Sequence, residues 1–197
     1  MQAFRLPICL IIGCLVTTLA DAQTSARLRG TITAVDGNNL QVRSREGESF
    51  KLQLSASLVV AVATAIRFED IKPGDYVGAT TRKRADGTME AIEVHYLPPT
   101  ALAGQTPWDL EPETLMTNAN VSAAVASTGT RELTLEFKGG TQKISIPPSA
   151  ALVRAVPGTQ ADLKVGEYVF ATVQKAADGS LVVPRIQVSK DGVKPPQ

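Results

Sequence analysis

Cysteine is almost missing from this 197-residue chain, and both examples, Cys9 and Cys14, fall near the N-terminus. If that segment is removed on export, the remainder holds no disulfide, no thiolate nucleophile and no cysteine metal site. Histidine occurs once, as His95, so no Ser-His-Asp set can be supported around it. Tryptophan also occurs once, as Trp108, and aromatics make up only 5% of the residues. A formal net charge of +1 gives no sign of a polyanionic partner. No phosphate loop, dinucleotide fingerprint or cofactor motif is present, and no cofactor is expected.

Long apolar runs are lacking too, apart from Leu6 to Leu19. That run follows Arg5 and precedes Ala20-Asp21-Ala22, with small residues at the positions a signal peptidase reads. It is shorter than the roughly 20 residues needed to span a bilayer. Residues 1–22 are therefore expected to be a secretory signal peptide, cleaved before Gln23. Ile11-Ile12-Gly13-Cys14 also has the look of a lipobox, which leaves a lipid anchor at Cys14 as the alternative. The mature chain is expected in the periplasm or secreted, without a transmembrane segment.

What the chain does have is repetition. Asp70-Ile71-Lys72-Pro73-Gly74-Asp75-Tyr76-Val77 returns as Asp162-Leu163-Lys164-Val165-Gly166-Glu167-Tyr168-Val169, 92 positions later. Ala85-Asp86-Gly87-Thr88 returns as Ala177-Asp178-Gly179-Ser180, and Leu52 and Leu54 map onto Ile144 and Ile146, at the same offset. Within each copy, apolar and polar residues alternate with period two between Gly- and Asp-rich turns, the pattern of short half-buried strands. Leu28, Ile32, Leu40, Val42, Ile92, Val94 and Tyr96 are expected to point inward, as are Val125, Leu133, Leu135, Val169, Ile186 and Val188 in the second copy. Asp70 and Asp162 are expected to cap the turn that each begins. Five or six such strands commonly close into a small barrel, which removes exposed edges.

Between the copies the composition changes. Leu97 to Thr117 contains Pro98, Pro99, Pro107 and Pro112, the acids Asp109, Glu111 and Glu113, and no base. The expected organisation is a signal peptide at 1–22, a first barrel at 23–97, a linker at 98–119, a second barrel at 120–190 and a frayed tail at 191–197.

Gly30-Thr31-Ile32, the segment Asp70 to Val77 and Asp86-Gly87-Thr88-Met89-Glu90-Ala91 resemble the motifs of an exported bacterial family, domain of unknown function 5666. The second copy departs from the pattern where Val125 lacks the preceding glycine and where Val183, followed by Pro184, stands in place of the alanine. Glu93-Val94-His95, Pro107-Trp108-Asp109-Leu110 and Met116-Thr117-Asn118-Ala119 resemble a two-copy subgroup of it. The resemblance implies an all-β chain of two tandem small OB-like barrels and an exported location. It brings no activity with it.

Candidate site residues lie in the parts that are not repeated. Glu93 and His95 share the outward face of one strand, a metal or acid–base pair if linker carboxylates fold back, although one histidine with carboxylates is thin for zinc. The subgroup often places a second histidine before the Pro-Trp-Asp, and Gln105-Thr106 stands there instead. Trp108 with Asp109 offers a flat surface for a ligand, or else pins the linker to apolar surface. Arg82-Lys83-Arg84 is the densest basic run, near a hairpin tip, either a solvated turn or ligand-binding residues for an anionic lipid or polysaccharide. Single-strand binding would require aromatic platforms beside it, so no nucleic-acid partner is expected. The leading expectation is a non-catalytic envelope module that binds a small ligand or an envelope protein. The alternatives are a metal-handling protein using Glu93, His95 and the acidic linker, and a structural spacer in an envelope assembly.

Overall fold

The computed structural model describes residues 25–196, so the signal peptide expected at 1–22, with Cys14, lies outside the described residues. Twelve strands form the molecule: β1 Ser25–Asp36, β2 Asn39–Ser44, β3 Ser49–Ala65, β4 Tyr76–Lys83, β5 Met89–Tyr96, β6 Gly104–Trp108, β7 Thr114–Ser127, β8 Thr130–Phe137, β9 Gly140–Ser145, β10 Ala151–Pro157, β11 Tyr168–Lys175 and β12 Leu181–Val188. Two single 3-10 turns, Phe68–Asp70 and Gln160–Asp162, are the helical elements among the described residues. The expected all-β character and barrel closure are both present.

The strands do not close within each repeat. β1, β2 and β3 form a meander whose free sides are taken by β11 and β12: β11 runs antiparallel to β1, and β12 runs parallel to β3. This five-stranded barrel encloses Leu28, Ile32, Leu40, Val42 and Leu52 of the first repeat with Val169, Ala171, Val183, Ile186 and Val188 of the second. The reciprocal set joins β7, β8 and β9 to β4 and β5 around Val77, Ala79, Val94, Val121, Leu133, Leu135 and Ile144. Each barrel therefore takes three strands from one repeat and two from the other. Residues 23–97 and 120–190 are not self-contained in their strand pairing, although they are the repeat units.

The cause is the connection between the third and fourth strands of each repeat. β3 runs for 17 residues without interruption, which at ~3.3 Å per residue carries the chain roughly 50 Å. Its far half pairs antiparallel with β10, with Ala63 opposite Ala155. Those two alanines are 92 positions apart, hence equivalent, so this ladder lies on a pseudo-twofold axis relating the repeats. Past the axis, each chain segment delivers its following hairpin to the opposite barrel.

The repeated Asp-Ile/Leu-Lys-x-Gly motif latches this exchange. Asp70 and Asp162 end their 3-10 turns rather than begin them, each carboxylate accepting from the main-chain N–H of the residue three before it, Arg67 at 2.9 Å and Thr159 at 2.8 Å. Gly74 (φ 95°) and Gly166 (φ 93°) then turn the chain through left-handed backbone that favours glycine. The Gly74 N–H donates to Val121 O of the second repeat, and the Gly166 N–H to Ile32 O of the first.

Four further expectations change. Val125 is exposed, because Val121, opposite Leu135, occupies the place that Ile32 holds opposite Val42; the β7–β8 hairpin is longer and carries Val125 beyond the barrel. Ile92 falls at a bulge between the Thr80 and Thr81 pairings, which puts Ala91 in the core instead. The linker is not irregular throughout, since β6 pairs with β7, and residues from Thr114 onward already belong to β7. The tail is not frayed: Lys190 bridges Val193, and Pro195 and Pro196 are buried.

Candidate functional site

The two barrels carry equivalent outer faces with different chemistry. On the second barrel, strand register sets Thr80 between Glu93 and Met116, and Gly78 between His95 and Asn118. On the first, Thr172 lies between Arg185 and Arg27, and Phe170 between Gln187 and Arg29. Glu93 and His95 point away from the barrel core, as alternation requires, yet both are buried. The Thr80 hydroxyl donates to Glu93 Oε1 at 3.0 Å. His95 lies against the backbone of Gly78, where a Cβ would stand 2.7 Å from Nε2, so the missing side chain makes room for the imidazole. His95 Nδ1 is 3.8 Å from Glu93 Oε1 and has no hydrogen-bond partner. Burial lowers the His95 pKa to about 4, so the ring is neutral at neutral pH. Among the described residues no three His, Cys, Asp or Glu side chains gather as a metal site.

The linker strap crosses both barrels. β6 adds to the edge of β7 on the second barrel, and the following residues are gripped by arginines of the first. The Arg27 guanidinium stacks 4.1 Å from the centroid of Trp108, which is half-buried. Arg29 Nη2 donates to Asp109 Oδ1 at 2.8 Å, and Arg27 stands 3.6 Å from Asp109 Oδ2. Arg45 donates to the main-chain oxygens of Asp109 and Leu110, both at 3.0 Å. The Arg29 hydrogen bond holds the Asp109 carboxyl below the usual carboxylate range. Trp108 is thus a bridging side chain, packed under a cation.

The basic run is largely neutralised from within. Arg82 lies 3.1 Å from Glu90 Oε1 and 3.5 Å from Glu111, and Arg84 contacts Glu90 Oε2. Burial pushes the Glu90 carboxyl up, but hydrogen bonds from Arg82 and Arg84 outweigh it and keep the group below its ordinary range. Lys83 is exposed beside them. The expected ligand residues Arg82, Lys83 and Arg84 therefore do not converge with Trp108 and Asp109 on one cleft.

A concave surface lies elsewhere, between the β4–β5 and β7–β8 hairpins of the second barrel. It has a volume of about 860 Å³, with Arg84, Glu90, Arg131 and Lys143 among the charged residues on its walls and Ile144 and Ile146 on its floor. It lies beside the seam where β5 meets β9 at one bridging pair, Glu90 with Ser145, before the seam resumes along β10 with Ala151, Leu152 and Val153 opposite Glu93, Val94 and His95. The matching seam in the first barrel runs the same course, β12 pairing with Gln53 and Leu54 and then, past a bulge, with Val59 to Val62 of β3; Pro147-Pro148 stand where that bulge begins. Proline cannot donate to a ladder, so the strand splits into β9 and β10. Arg131 and Lys143 went unnoticed in the sequence, since each sits on the polar phase of an ordinary strand. A single proline pair set against the repeat was the available signal.

No known protein family, no curated protein and no solved structure matches the chain, so the family resemblance rests on the motifs quoted above.

Proposed function

We propose that the protein is an exported, non-catalytic binding module of the bacterial envelope, and that its ligand or partner enters the groove between the two hairpins of the second barrel. The observation that carries this reading is the 860 Å³ groove between the β4–β5 and β7–β8 hairpins. In each barrel the order is first, second, third, fifth, fourth strand and back to the first, the order of an OB-like barrel. OB-folds bind between the loops that correspond to these hairpins, which is an analogy of fold alone. Export follows from the signal-like segment at residues 1–22. The absence of aromatic residues from the groove walls favours a polar or extended ligand over one that stacks.

Thermal-shift screening of the purified chain against envelope peptides and polysaccharides tests this reading. Binding is expected to weaken in the double variant Arg131→Glu/Lys143→Glu, whose own melting temperature stays close to wild type. Turnover of a substrate, lost on His95→Ala or Asp109→Ala, would overturn it. The metal-handling alternative is favoured by one observation, the unpartnered buried His95 Nδ1 near Glu93. It requires a divalent ion to raise the melting temperature of wild type and not of His95→Ala.

A further inference from the structure

Arg29 is the most deeply buried cation among the described residues, 5% exposed, in a β-strand of the first barrel. A guanidinium cannot shed its charge, so burial is tolerated only against an anion or a set of acceptors. Its surroundings supply one anion: Nη2 reaches Asp109, while one face lies 5.0 Å from the Phe170 ring and Nε is buried with no hydrogen-bond partner. That counter-ion has a side chain 52% exposed and arrives on a strap rather than on the barrel. Beside it a polar cavity of about 260 Å³ is lined by Arg27, Arg29 and Arg45 and by Glu46, Glu48 and Asp109. Arg45 spends its terminal nitrogens on main-chain oxygens of the strap and its Nε on Glu46, so it fastens the strap without neutralising the site.

None of this is copied in the second repeat. Strand register makes Met116 and Asn118 the counterparts of Arg27 and Arg29. The barrel fold therefore does not require arginines here.

We infer that Arg27 and Arg29 form an anion-binding site for the phosphate or carboxylate group of a small ligand, and that Asp109 fills it from within when the ligand is absent. Two planar guanidinium forks, one with its Nε unpartnered, suit an oxyanion, and such charge-assisted hydrogen bonds are the strong ones. A tethered carboxylate competes at high effective concentration, so the site binds an external anion weakly until the strap is released. If Asp109 occupies it nine-tenths of the time, apparent affinity falls about tenfold. The site is separate from the hairpin groove, and neither reading depends on the other.

The experiment uses the purified full chain with inorganic phosphate and, separately, citrate, against sodium chloride at matched ionic strength. Asp109→Asn keeps the shape of the strap and its main-chain bonds to Arg45 while removing the competing charge. At least one of the two anions is expected to raise its melting temperature, with affinity about tenfold tighter than for wild type. Which anion acts tells phosphate from carboxylate. Adding Arg29→Gln to Asp109→Asn should abolish the response, and adding the more exposed Arg27→Gln should weaken it if the Arg29 variant does not fold. Equal responses in all of these chains, or none in Asp109→Asn, would overturn the proposal.

Discussion

At the residue scale the buried polar groups, more than the hydrophobic ones, distinguish the two halves. His95 occupies the place held by Gln187 in the other barrel, over a glycine where the other has Phe170. Its pKa is lowered by burial from 6.5 to about 4, so the unfolded chain takes up the proton first. Its neutral form supports the fold above about pH 6.5, and that contribution is lost as pH falls toward 4, below which both states are protonated. Wild type is expected to lose about 3 kcal/mol relative to His95→Gln across that window. Urea titrations of both chains at several pH values measure it, and parallel pH profiles would contradict it. The strand phase of His95 and Glu93 was legible, because alternation from Val94 places both outward. Their burial was not legible, since it depends on what the linker and tail lay over that face.

At the element scale one difference between repeats has consequences. β3 passes its bulge as one strand where Pro147-Pro148 splits its counterpart, so the second seam is shared between one pair with β9 and three with β10. The turn motif, in contrast, is the same in both copies and does the same thing. Gly166 and Gly74 each hand a main-chain N–H to the first strand of the opposite repeat from left-handed backbone. Gly166→Ala and Gly74→Ala should each cost at least about 1 kcal/mol, because an added Cβ penalises that conformation. The urea midpoint reads the loss, and an unchanged midpoint would show that the backbone relaxes there freely. That these glycines turn the chain was readable from Asp-x-Lys-x-Gly. That their N–H groups join one repeat to the other was not, since either copy presents the same acceptor geometry.

At the scale of the whole molecule the repeats behave as two halves of one exchanged pair. The pseudo-twofold ladder of β3 with β10 and the crossed hairpins leave neither repeat with a complete barrel of its own. Residues 25–97 and 104–196 expressed separately should each fail to form a stable monomer, and they should regain the native spectrum when mixed. Circular dichroism and size-exclusion chromatography would show it; a monomeric, cooperatively folding half would refute it. The linker belongs to this scale as well. β6 extends the second barrel while Trp108 and Asp109 are held by Arg27 and Arg29 of the first, so the strap fastens what the exchange assembles.

Period-two alternation, turn residues and the 92-residue echo were enough to read strands, most inward positions and barrel formation directly from the chain, though not the places of Ile92 and Val125. Which repeat completes which barrel could not be read there. The inward residues are equally well buried whether a hairpin closes on its own meander or on its partner's, so the local code is identical for both. The choice falls to the length of β3, the register of Ala63 with Ala155, and the surface on which Asp109 comes to rest. These depend on positions far apart in sequence meeting in space, where a solvated arginine and a buried one look alike until the fold puts a carboxylate beside one of them.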